Sequence, residues 1–333
     1  MINKKGFEIQ FNWIFVLVAG AAIMLFFTVV VVKQKSVSET SIKATLLKSM
    51  EAIITGAGVS TDTTNIIDIP DSDIEVNCGR VSIGGVSKSY QSLLLFAPSL
   101  IKGNKLITQT LAFSVPYRAA NLLYITSPQL RYIIIGDSEL AKEINKSMPS
   151  ELKKEFHKSV PEIRNLNNYK IRFVLFENII DFPKALEKMP DSDVTAIKID
   201  GNSEKGTIEF WQKEGSLWAS KGTSFYIGKQ TLIGAIYADT IDAYECNLRN
   251  AFSRLNLVTK IYAERTKKLM QGAVLGRQFE CSQFYSNALN QLNSIFAASS
   301  DFNRENIGVI SDSAKSLSGE NKNAQIYSCI LIY

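Results

Sequence analysis

The stretch Arg131-Tyr-Ile-Ile-Ile-Gly136-Asp137-Ser138 is where this chain comes nearest to a catalytic motif. An apolar strand that ends in a glycine turn lifts the next side chains to the rim of a sheet, where a serine can serve as nucleophile. Such a serine needs a neighbouring base to take its proton. The chain has one histidine, His157, in the charged stretch Lys154-Glu-Phe-His-Lys158 expected at the surface. Asp137 or Ser138 equally suits the N-cap of a helix that begins near Glu139. That reading assigns no catalytic residue. With one histidine and no Cys-x-x-Cys, a zinc centre lacks its ligands. No Gly-x-Gly-x-x-Gly follows the first parallel strand and no Walker-type Gly-Lys-Ser/Thr occurs, so the usual nucleotide cradles are missing and no cofactor is expected. Pro70-Asp71-Ser72-Asp73 and Pro190-Asp191-Ser192-Asp193 read as Asx-type turns entering strands rather than as metal ligands.

Gly-Asp-Ser at the end of a strand resembles the first block of SGNH-type hydrolases. The resemblance implies Ser138 as nucleophile. The chain departs from that pattern, in which an aspartate stands three residues before a histidine late in the domain. Here that position is Lys154, and there is no Gly-x-Asn-Asp block. A membrane-tethered hydrolase using Ser138 is kept as a second alternative.

Cys78, Cys246, Cys281 and Cys329 are an even set, which fits two disulfides in an oxidising space or four buried thiols. If 240–270 and 277–298 form a straight helical hairpin, Cys246 and Cys281 are offset by roughly 25 Å. A disulfide needs Cα atoms within about 7 Å. That excludes Cys246–Cys281 and leaves two connectivities, of which Cys281–Cys329 with Cys78–Cys246 is preferred, the bridges acting as staples. Phe210-Trp211, Trp218 and Phe225-Tyr226 fill the face between sheet and helices. As a recognition edge, the residues to consider are Trp211, Trp218 and Tyr226.

Residues 13–32 must position everything else. They carry no charge and one hydroxyl, and as a helix they extend about 30 Å, the thickness of a bilayer's hydrocarbon core. The run is longer than a signal-peptide core of ~7–15 residues, and no small-x-small site precedes Lys33. Lys4 and Lys5 before the span nearly balance Lys33 and Lys35 after it. The short leader favours an N-terminus in the cytoplasm and the bulk of the chain outside. The net charge of +5 is scattered and does not track with aromatics, so nucleic acid is not an expected partner.

After the span, Ile42, Leu46, Leu47, Met50, Ile53 and Ile54 recur at helical spacing until Gly56-Ala57-Gly58. This predicts an amphipathic stalk. Lys4-Lys5-Gly6-Phe7-Glu8 before an apolar helix resembles the start of uncharacterised archaeal single-pass membrane proteins, a likeness that implies no activity. The same segment resembles type IV pilin-like subunits, which implies cleavage after Gly6 and self-association through the stalk. It departs from their bacterial pattern: the acid belongs at the fifth mature position, which is Phe11 here, whereas Glu8 is at the second.

The expected layout is a cytoplasmic leader 1–11, a transmembrane helix 12–33, a stalk 34–58, a β-rich region 59–130, an α/β region 131–238 and a helical segment 239–333 with an apolar tail. Within it, 59–72 reads as a linker. Arg131–Ile135 and Lys170–Phe176 read as buried strands around a helix Glu139–Phe156, a βαβ signature. Phe182–Met189 reads as a short helix, Leu217–Ala219, Ser224–Ile227 and Thr231–Tyr237 as strands, Asn306–Leu317 as a helix, and Ile326–Tyr333 as a buried strand. The fold class is α/β or α+β with a mixed-sheet extracytoplasmic head. The function this suggests is non-enzymatic: an envelope protein anchored in the lipid bilayer, whose head serves binding, scaffolding or assembly with itself or another envelope protein. A pilin-like subunit is the alternative.

Overall fold

The computed structural model describes residues 13, 16–34, 41, 45, 47, 48, 51, 55, 56, 62–90, 93–163, 167–176 and 178–333. Contacts divide the chain into two units, Met1–Met50 and Glu51–Tyr333. In the first, helix α1 (Val16–Gln34) is long and apolar enough to cross a membrane, and none of it is buried. Its one hydroxyl is satisfied within the helix, since Thr28 Oγ1 donates to the Met24 carbonyl at 2.7 Å. The leader 1–11, the cleavage position after Gly6 and most of the stalk lie outside the described residues.

The second unit begins with β1 (Thr63–Asp68), β2 (Ile74–Asn77), β3 (Arg80–Ile83), β4 (Val86–Ser89), β5 (Leu94–Phe96), β6 (Leu100–Ile101), β7 (Lys105–Ser114) and β8 (Arg118–Thr126). Then come β9 (Leu130–Ile135), α2 (Glu139–Ser147), β10 (Lys153–His157), β11 (Lys170–Leu175), β12 (Val194–Gly201), β13 (Lys205–Glu214) and β14 (Leu217–Ile227). Helices α3 (Gly228–Tyr237), α4 (Ile241–Leu275), α5 (Phe279–Ala298) and α6 (Arg304–Ile326) follow. The strands form a sheet β1-β7-β8-β5, a sheet β4-β3-β2-β6 and a six-stranded sheet β10-β9-β11-β12-β13-β14. This is a mixed α/β fold.

In the six-stranded sheet β10, β9, β11 and β12 are parallel, and β13 and β14 run antiparallel. Every residue of β9 and β11 is buried, as parallel strands covered on both faces require. Ala141 of α2 is fully buried, and Ile144 joins the main core on one face. The connection from β11 to β12 packs Ile179, Ile180, Phe182 and Leu186 on the other face. The two crossovers leave in opposite directions, so the sheet has a switch point between β9 and β11.

Several expectations are corrected. The polar run 63–68 is no linker: it pairs with Thr110–Lys105 as an edge strand, where β-branched threonines and isoleucines suit a half-exposed pleat. The helix from Glu139 stops at Ser147, ahead of Pro149, and 153–157 becomes strand β10 beside β9. Residues 182–189 supply only a one-turn 3-10 helix, Lys184–Leu186. Leu217–Ile227 is one strand, with an irregular register where Phe210 and Trp211 pair across from it. Thr231–Tyr237 is helical, and every one of its residues is buried. A helix wrapped on all sides shows no polar face, so its sequence mimics a buried strand. Helix α6 reaches Ile326, well past Leu317. The tail after it is not a strand: Ile332 is buried but Ile330 is exposed.

Candidate functional site

The switch point is where open α/β sheets place their ligand crevices, outside the carboxyl ends of the strands. Among the described residues, the two strand ends approach each other closely there. Gly136, at φ +154°, lies so near Phe176 that a Cβ on it would stand 2.8 Å from the phenylalanine Cβ. The Phe176 N–H donates to the Ile135 carbonyl at 3.0 Å. Ser138 faces its own helix: its Oγ accepts from the Ala141 N–H at 3.2 Å as the N-cap of α2. Asp137 faces Lys158 at 3.2 Å and Lys142 at 3.8 Å.

His157 is not in a helix. It ends β10, and its carbonyl accepts from the Gly136 N–H at 3.0 Å. Its backbone thus reaches the glycine turn, while its ring Nε2 stands 3.4 Å from Glu155 Oε2 on the same strand. Among the described residues no hydrogen bond joins His157 to Ser138. Glu155 in turn takes a two-pronged contact from Arg131, at 2.7 Å from Nε and 2.9 Å from Nη2. Those hydrogen bonds hold the Glu155 carboxyl below its ordinary value, against the opposing effect of burial. The arrangement is a charged edge ladder, not a nucleophile with its base.

A second polar cluster lies at the other end of the parallel strands. Lys170 forms an ion pair with Asp239, and the Ser99 N–H and hydroxyl each donate to the same carboxylate at 2.8 Å. Arg172, two residues on and on the same face, is fully buried. Its Nη2 donates to the Ala235 and Ala238 carbonyls at 2.9 and 2.6 Å, and its guanidinium carbon stands 5.5 Å from the centre of the Phe210 ring. Among the described residues its Nε and Nη1 have no partner. Burial draws its pKa down to about 10, with Asp239 and Tyr132 pulling the other way. These groups tie strand β11 to the α3–α4 junction and to the loop after β5. None of Lys170, Arg172, Asp239 and Ser99 stands out as a site residue in the sequence. Their signal was Lys170 and Arg172 alternating within an otherwise apolar strand, where buried cations demand partners.

The aromatic residues separate onto two faces. Trp211 and Trp218 pack against the cluster on the outer face of the six-stranded sheet. Trp218 meets Phe173 and Phe182 edge-on, with ring centres 5.7 and 5.2 Å apart. Both indole N–H groups are buried without a partner among the described residues. Tyr226 is buried in the main core on the opposite face, and its hydroxyl donates to the Asn202 carbonyl at 2.7 Å. The three residues therefore do not make one recognition patch. Lys213, buried on β13 two residues after Trp211 and paired with Trp218 of β14, forms an ion pair with Asp191, whose carboxyl it holds below the ordinary range.

The cysteines form two disulfides, Cys78–Cys246 with Cα atoms 5.9 Å apart and Cys281–Cys329 at 5.7 Å. Among the described residues no three His, Cys, Asp or Glu side chains converge as metal ligands would. No known family model matches the chain, and neither a curated protein nor a solved structure is detectably similar to it.

Proposed function

We propose that this chain is a single-pass membrane protein, N-terminus in the cytoplasm, whose extracytoplasmic head serves binding, scaffolding or assembly at the cell envelope rather than catalysis. The observation that carries this reading is α1: a helix of bilayer length with no buried side and no charged side chain before Lys33. Left in water it would expose apolar surface all round, and lipid removes that cost. Two disulfides support an oxidising compartment for the head. The structural part played by Ser138, as a helix cap, supports a non-enzymatic role.

The test is alkaline carbonate extraction of native membranes, followed by mass spectrometry of the mature N-terminus. A chain that starts at Met1 or Ile2 and stays in the washed membrane supports the anchor. A start at Phe7 moves the reading to a pilin-like subunit. A start beyond Val32 makes α1 a removed signal and overturns the proposal. Labelling of head lysines in intact cells by a membrane-impermeant reagent checks the topology, and protection of the head overturns it.

A further inference from the structure

Helices α4, α5 and α6 run up, down and up, which brings the end of α4, the start of α5 and the end of α6 together. The Cys281–Cys329 disulfide and the Phe284–Tyr327 ring contact at 5.1 Å hold that end of the bundle. It is unusually apolar for a surface. Leu275 is 86% exposed, Phe279 72% and Val274 52%, with Ile326, Tyr327 and Ile330 exposed beside them. A groove of about 720 Å³ between α4 and α5, lined by Met270, Val274, Leu275 and Phe279 among others, opens at this end. Further down α4, Leu257 and Ile261 are also bare, between Lys260, Arg265 and Lys268.

We infer that this end of the bundle is a second, peripheral membrane-binding surface that dips into the interface of an anionic bilayer. Contiguous exposed apolar side chains mark a contact with protein or lipid. Charge weighs against a second copy of this chain. From Leu257 to Gln283 the chain has five cations (Lys260, Arg265, Lys267, Lys268 and Arg277) against two carboxylates, Glu264 and Glu280. A second copy docked face to face would oppose these cations to each other. Anionic headgroups complement them, while Leu275 and Phe279 reach the acyl boundary and the α4–α5 groove receives a chain. This surface rests on the anchored reading only for its nearness to a bilayer, and the two are tested by different peptides.

The experiment reconstitutes the full chain in vesicles of phosphatidylcholine and phosphatidylglycerol that contain a phospholipid with a photoreactive acyl chain. Adducts are then mapped by peptide mass spectrometry. Adducts over 269–283 are expected. They should fall at least fivefold in the double variant Leu275→Asp, Phe279→Asp, and at least threefold when phosphatidylglycerol is left out. Both substituted positions are exposed, so the variant keeps its fold, and unchanged adducts over 16–34 serve as its control. Lipid adducts over 16–34 with none over 269–283 would overturn the inference. So would cross-links between copies at 275 and 279 in place of lipid adducts. Loss of adducts over 16–34 alone would instead count against α1 as an anchor.

Discussion

Lys170 and Asp239 meet as an ion pair inside the head, with side chains only 3% and 5% exposed. The carboxylate also accepts from the backbone and hydroxyl of Ser99. One aspartate in the α3–α4 junction thereby holds a strand of the six-stranded sheet and the loop after β5. Taking one charge from such a pair leaves the other stranded in low dielectric, which costs far more than the pair itself contributes.

Asp239→Ala should therefore lower stability by about 3–5 kcal/mol. Lys170→Met combined with Asp239→Leu should recover much of that loss, because no lone charge remains. Chemical unfolding of the purified chain measures both. An Asp239→Ala protein as stable as the wild type would show that Lys170 reaches water.

Ser138→Ala should cost about 1 kcal/mol, the usual worth of an N-cap, and Ser138→Asp should restore it. The thermal midpoint reports the change. A hydrolytic activity lost in Ser138→Ala and not regained in Ser138→Asp would return Ser138 to the role of nucleophile.

Glu155 has its folded pKa depressed below 4.5, chiefly by the hydrogen bonds from Arg131. A depressed acid contributes stability that is present above its unfolded value and lost as the pH falls through its folded one. The difference in thermal midpoint between wild type and Glu155→Gln should thus be present at about pH 7 and shrink as the pH falls through and below the ordinary carboxylate range. A gap that stays constant to lower pH would mean that the carboxyl is not what Arg131 stabilises.

Cys281→Ser should lower stability by about 2–4 kcal/mol, since the bridge closes a loop between residues 48 apart in sequence. It should also speed hydrogen exchange over 326–333, where the tail is otherwise held by Tyr285 donating to the Ile330 carbonyl and Arg265 to the Ile332 carbonyl. Exchange as slow as in the wild type would assign the tail's order to these hydrogen bonds and to packing around Ile332 rather than to the bridge.

Local signals carried the elements whose periodicity is strong. The uncharged run at 13–32, a cap at Asp137 or Ser138, the buried strands β9 and β11 and the hairpin of α4 and α5 can all be read residue by residue, because each depends on neighbours within a turn or a pleat. The mixed sheet also follows from such signals, and a straight helical hairpin rules out Cys246–Cys281, but the choice between the two remaining connectivities came from the fold. Helix α3 could not be read this way. Burial on every side removed the polar face that distinguishes a helix from a strand.

Tertiary structure alone decided what is near what. It set His157 at the end of an edge strand, its carbonyl bonded to the turn before Ser138 and its ring turned to Glu155. It split Trp211 and Trp218 from Tyr226, because strand pairing and a register irregularity near Trp211 govern which face each side chain takes. It brought Lys170 to Asp239 across 69 residues and gathered Leu275, Phe279 and Ile330 at one end of a bundle. Sequence encodes the preference of each segment through backbone sterics and burial of its apolar groups. Distant charges and faces meet only once sheet register and helix packing are set, and those are properties of the assembled chain.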